Sequence, residues 1–113
     1  MSGETGLSSG IQKTLTLKGC KVIRIQSGLI PLMYGETRRW VHCAAKGTPD
    51  LLVLRPPAIC VFLEVKGDGG KLNRDQQLWH EWAVSNGFRV CVVRTIDEAL
   101  RAVYPPTRSR LEP

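Results

Sequence analysis

A chain of 113 residues, 42% hydrophobic and 23% charged, carries apolar material for one modest core, so it should fold as a single domain without help from disulfides. No apolar run approaches a bilayer span, and the opening Met1-Ser2-Gly3-Glu4-Thr5-Gly6 lacks the basic start and apolar stretch of an export leader; the cytoplasm is the expected location and no membrane partner is expected. The net charge of +6 points instead to a polyanion.

Cys20, Cys43, Cys60 and Cys91 show no close-paired spacing, and Cys60 and Cys91 fall inside apolar patterns where a free cysteine serves as a small hydrophobe. With only His42 and His80 to assist them, neither a zinc site nor a disulfide framework is favoured.

In chain order, Leu7, Ile11 and Leu15 recur every four residues, which predicts an amphipathic helix over 7–18 against the weakening effect of Gly6 and Gly10. Glu4 falls on the same stripe, where it either leans over a nearby site or is a solvated first-turn acid that suits the helix dipole. Val22, Ile23 and Ile25 predict a strand from Cys20 to Gln26, ended by Ser27-Gly28. Residues 29–46, with Pro31, Gly35 and the run Arg38-Arg39-Trp40, read as an irregular loop and a candidate DNA contact, although a Trp beside two arginines can also be simple packing.

Asp50-Leu51-Leu52-Val53-Leu54 and Cys60-Val61-Phe62-Leu63-Glu64-Val65-Lys66 are apolar, β-prone runs joined by Arg55-Pro56-Pro57-Ala58-Ile59, whose prolines cannot continue either strand. An antiparallel hairpin turning on Pro57 sets Leu54 against Cys60, Leu52 against Phe62 and Asp50 against Glu64, and opposed Cβ atoms lie roughly 5 Å apart. Alternation sends Phe62, Glu64 and Lys66 to one side and Val61, Leu63 and Val65 to the other. Two carboxylates held that close repel, and a divalent cation removes the conflict; oxygen donors suit Mg²⁺ or Mn²⁺. Lys66 is placed beside them to hold a phosphate or a nucleophilic water. The plainer alternative is an exposed Glu64–Lys66 pair with Asp50 capping a turn, but charged groups inside a nearly continuous apolar strand need a reason.

Gly67-Asp68-Gly69-Gly70-Lys71 predicts a glycine turn and lacks the Gly-Lys-Ser/Thr ending of a nucleotide-binding loop. A helix follows over Leu72 to Asn86, stopped by Gly87, with Leu72, Gln76, Trp79 and Ala83 on one face. Gln76 there needs a partner, either a site water, a carboxylate or DNA, unless it is a partly exposed edge amide. Phe88 to Val93 predicts another strand, and Thr95 caps a short helix containing Ile96, Ala99, Leu100 and Val103. Residues 1–104 form the expected domain and the proline-containing 105–113 a flexible tail.

Gly47-Thr48-Pro49-Asp50-Leu51, Phe62-Leu63-Glu64-Val65-Lys66 and Leu72 with Gln76 beyond a glycine turn resemble, in order and spacing, the PD-(D/E)XK nuclease superfamily, and more closely its VRR-NUC family in the compact standalone form found in phages. The resemblance implies an α/β fold, a mixed α+β restriction-endonuclease-like core of about four strands flanked by helices. It implies Asp50, Glu64 and the Val65 carbonyl as ligands of Mg²⁺ or Mn²⁺, Lys66 as catalytic lysine, Gln76 as the helix glutamine near the site, and Glu4 as an acid completing it. Ser27 resembles a family turn near the substrate, and with Arg38, Arg39, Lys46 and Lys71 makes up the expected DNA contacts. The implied reaction is hydrolysis of a DNA phosphodiester by in-line attack of water, in a homodimer that resolves four-way junctions. A nuclease acting on flaps or ends, and a non-catalytic basic nucleic-acid-binding module, are the competing expectations.

Overall fold

The computed structural model describes residues 3–26, 28–42 and 44–106. Its elements in chain order are α1 (Gly3–Leu17), β1 (Lys21–Arg24), β2 (Leu29–Tyr34), β3 (Thr37–His42), β4 (Leu51–Arg55), β5 (Ile59–Val65), α2 (Arg74–Ser85), β6 (Val90–Val93) and α3 (Ile96–Val103). The stripe of α1 does what its spacing requires: Ile11 and Leu15 are fully buried and Leu7 packs beside them. Gly10 survives inside this helix because α3 crosses there; a Cβ at Gly10 would stand 3.0 Å from Ile96 Cδ1.

β1, β4, β5 and β6 form one sheet in that order, the first two junctions antiparallel and β5–β6 parallel. Leu54 pairs with Cys60 and Leu52 with Phe62, the register that a turn on Pro57 demands, and the ladder extends one step further to Arg55 and Ile59, so only 56–58 turn. Leu51, Val53, Val61, Leu63, Val65 and Val93 fill one face beneath α1 and α3, where Ala99 and Val103 are also buried. The opposite face carries Phe62, Glu64 and Lys66 beneath α2, with Phe62 edge-on to Trp79 at 5.0 Å between ring centres. Thr95 accepts the Glu98 N–H and caps α3 as its hydroxyl suggests. α2 ends in a Schellman pattern: Gly87 adopts φ +83°, its N–H bonds the Val84 carbonyl and the Phe88 N–H bonds the Ala83 carbonyl.

Two sequence expectations change. Residues 29–46 are not an irregular loop: Leu29–Tyr34 and Thr37–His42 pair over their full length around a two-residue turn in which Gly35 takes φ +64°. Pro31 suggested a break, but in a two-stranded ribbon one edge has no neighbour to need its N–H. Cys60, read as a core hydrophobe, is exposed. The expected tail lies outside the described residues from 107 onward, and no described helix is long and apolar enough to cross a membrane.

Candidate active site

Asp50 is delivered by a turn that only glycine can make. Thr48 closes residues 45–48 through its Oγ1 and N–H, both donating to the Ala45 carbonyl. Gly47 takes φ +86°, and a Cβ there would overlap the Asp75 carbonyl oxygen and lie 3.0 Å from the Gln76 nitrogen. The turn is thereby pressed onto the first turn of α2, with Pro49 fully buried behind it.

The ladder between β4 and β5 ends at Leu51 and Leu63, so Asp50 lies just beyond it. Phe62 and Lys66 send their N–H groups to β6, onto the carbonyls of Arg89 and Val93. By alternation the Val65 N–H points the other way, toward a strand that has already ended. Asp50 supplies the missing acceptor: its Oδ2 takes the Val65 N–H at 2.8 Å. Its own carbonyl accepts from Ile25 at 2.7 Å, so the residue is fixed from both neighbouring strands. In extended backbone the Val65 carbonyl leaves on the same side as its N–H, toward Asp50.

Glu64 sits on the opposite face from the Val65 side chain and is only 1% exposed. His80, on α2, places Nε2 3.4 Å from Glu64 Oε1. Burial, and then the nearby Lys66 charge, hold the imidazole below its ordinary value of 6.5. At neutral pH the contact is therefore a hydrogen bond between Glu64 and a neutral ring rather than an ion pair. Lys66 is half-buried on the same face, its N–H bound to the Val93 carbonyl at 3.0 Å. The glycine turn beyond it is closed by Gly70 N–H to the Gly67 carbonyl at 3.0 Å, and Arg94 Nη1 clamps that carbonyl at 2.9 Å.

Gln76 is placed differently from Asp50, Glu64 and Lys66. It forms a capping box with Asn73, its Oε1 accepting the Asn73 N–H and its own N–H donating to Asn73 Oδ1, both at 2.9 Å. The partner that its position called for is thus backbone at the start of α2. Arg38, Arg39, Lys46 and Lys71 are exposed, but Arg38 pairs with Met33 and Arg39 with Leu32 on opposite faces of the ribbon, so the two arginines do not share a patch. Ser27 lies outside the described residues; Glu4 belongs to the first turn of α1, and its side chain lies outside what is described. Among the described residues no three of His, Cys, Asp and Glu come together as a metal-holding group.

Sequence reasoning missed His80, considering it only for zinc. The signal was available, since His80 follows Gln76 by four residues and therefore shares its helix face.

A profile of the VRR-NUC domain matches residues 37–96, more than half of the chain and spanning Asp50, Glu64, Lys66 and Gln76. The chain belongs to the VRR-NUC family. It is accordingly a nuclease, a hydrolase of nucleic acid. A solved structure titled VRR_NUC domain is similar over 95% of this chain and 100% of that one, with a TM-score of 0.67 at 22% identity, a likeness of fold. A comparison with curated proteins finds no match. The hairpin, its carboxylates and α2 all lie within the stretch that the VRR-NUC profile covers, whereas α1, β1 and β2 precede it.

Proposed function

We propose that this VRR-NUC chain is a divalent-cation-dependent, structure-selective DNA endonuclease that acts as a homodimer on four-way junctions. One observation carries the reading: Asp50, fixed to the Val65 N–H, and Glu64, buried to 1% exposure, flank the end of β5 where Lys66 emerges. Burying a carboxylate in a strand is costly unless a partner or ion compensates it, and such placement marks a site.

The donor set fits a hard cation. Asp50, Glu64 and the Val65 carbonyl offer only oxygen, which suits Mg²⁺ or Mn²⁺ and leaves further positions to water and phosphate. A three-carboxylate cluster is not needed for that chemistry, since Mg²⁺ sites commonly use one or two carboxylates. The bound cation supplies Lewis-acid charge at a phosphoryl oxygen.

The chain's own residues do the rest. Lys66 is a compact positive charge beside the carboxylates, able to orient the attacking water and to steady charge gathering on the phosphoryl group. The Asp50–Val65 bond keeps one carboxylate oxygen occupied and so sets the direction of the other. The His80 hydrogen bond orients Glu64, and α2 closes that side against solvent. The basic residues, net +6 over the chain, raise the local concentration of DNA. A chain with one such site needs a two-fold partner to cut two strands symmetrically.

The test is incubation of the full chain with linear, flapped and four-way DNA, with and without Mn²⁺. Paired nicks symmetric about the branch point, dependent on the cation, are expected. Cutting confined to flaps or ends would replace the junction reading, and no cutting of any substrate would overturn the nuclease mechanism.

A further inference from the structure

The β2–β3 ribbon has no role in the chemistry above. Its pairing puts Leu29, Pro31, Met33 and Trp40 on one face and Ile30, Leu32, Tyr34 and Val41 on the other. Leu29, Met33, Tyr34 and Trp40 are 55%, 58%, 60% and 58% exposed. Among the described residues no other strand or helix packs against the ribbon beyond a marginal contact. A two-stranded ribbon alone in water is at best marginally stable. Large apolar side chains gathered on one are the mark of a surface whose cover is another molecule.

We propose that this ribbon is a dimerisation arm and that its occupant is a second copy of this chain. The proposal rests on the homodimeric reading above and names the surface which that reading requires. The area is sufficient for an arm laid on its partner's body: if Leu29, Met33 and Trp40, which share one face, each bury on the order of 100 Å² against an equal area, the two symmetric contacts remove about 1,200 Å² in total, the lower end of the range of stable dimers, whereas ribbon against ribbon removes only about 600 Å².

Two features favour a protein partner over DNA. The ribbon carries only Arg38 and Arg39, on opposite faces, with Glu36 in the turn between the strands, whereas affinity for a phosphate backbone comes from clustered cations. Pro31 then limits how copies can join. In a two-residue hairpin the closing pair, Tyr34 and Thr37, is hydrogen-bonded, so alternation makes Pro31 and Trp40 a non-bonded pair. The N–H that Pro31 lacks would have pointed outward, so the outer edge of β2 is blocked against strand addition. Association through the apolar faces gives a closed two-fold pair rather than a growing sheet.

The experiment is sedimentation of the full chain, free of DNA and metal, as wild type, as the double variant Leu29→Glu/Met33→Glu and as the milder Trp40→Ala on the same face. Wild type should sediment with twice the chain mass of 12.6 kDa and the double variant as a single chain, with far-ultraviolet circular dichroism and Tm unchanged because the ribbon lies outside the core. Should the double variant fail to fold, Trp40→Ala must still weaken dimerisation at least tenfold. A monomeric wild type, a double variant that stays dimeric, or Trp40→Ala with wild-type affinity overturns the arm. If the variants instead lose only salt-sensitive DNA binding, the ribbon is a nucleic-acid contact and the proposal falls. Since no substrate is present, failure of the nuclease reading would appear in the cleavage assay alone and leave this result standing.

Discussion

Replacing Gly47 by Ala separates close packing from backbone strain, because the chain contains its own control. Gly47 has φ +86° and Gly87 has φ +83°, but an added Cβ at Gly87 meets nothing within 4 Å while one at Gly47 overlaps the Asp75 carbonyl. Both substitutions carry the left-handed penalty, roughly 1–2 kcal/mol. Gly47→Ala must in addition push the 45–48 turn off α2, an overpacking cost of about 1–3 kcal/mol. With roughly 4–8 °C per kcal/mol in a domain near this size, Gly87→Ala should lower Tm by about 5–10 °C and Gly47→Ala by about twice that. Asp50 is three residues on, and a displacement of on the order of 1 Å at a reacting group costs about 100-fold in rate. Calorimetry on both variants, with cleavage rates measured well below either Tm, tests the two effects together. Equal losses of Tm, or full cleavage by Gly47→Ala, would refute the claim that this contact aims Asp50.

Asp50→Asn and Lys66→Ala should each lower cleavage by about 10²–10³-fold or more while DNA affinity in a gel-shift assay changes little; near-normal cutting by either variant removes that residue from the chemistry. Gln76→Ala and Asn73→Ala should each cost about 1 kcal/mol in chemical denaturation through the broken capping box, and a cleavage defect confined to Gln76→Ala would show that its amide also serves the site. His80 is held below 6.5 by burial and by Lys66, so between its folded and unfolded values the unfolded chain binds more protons. Its contribution is intact above about pH 6.5 and is lost as pH falls through the folded value. Wild type should therefore lose more stability than His80→Gln between pH 7.5 and 5.5; the opposite ordering in denaturant titrations would show that the Glu64 charge stabilises the protonated ring instead.

The register of β4 and β5 was readable because two constraints coincided: prolines at 56 and 57 fixed the turn, and the alternation of Val61, Leu63 and Val65 fixed the faces. The ribbon was unreadable for the complementary reason. Its residues contribute nothing to the core, so no buried face imposes a period, and Pro31 weighs against a strand unless one knows that its edge is unpaired. Gly10 shows the same asymmetry. Local propensity argues against a helix there, while the approach of Ile96 that makes glycine useful belongs to a helix more than eighty residues away.

At the site, composition and spacing locate the chemical groups but not what aims them. The register that sets Asp50 toward Glu64 is legible from the turn; that its carboxylate also answers the Val65 N–H left over where β4 stops is not, because this demand is visible only once β6 has claimed the N–H groups of Phe62 and Lys66. Gln76 reads as a site residue from its helix face, yet its carbonyl oxygen is committed to Asn73. Both cases follow from the same accounting of backbone donors: strand and helix ends leave N–H groups that some side chain must satisfy. Asp50, the proposed ligand, is one of the residues meeting those demands, so on that reading a contact that finishes the fold also holds the site in place. Substitution at Asp50 should consequently cost stability as well as activity, and substitution at Gln76 stability alone. Lys66, whose backbone N–H is bound in the sheet and whose side chain answers none of those strand-end or helix-end demands, is the position where activity should fall with the least change in Tm.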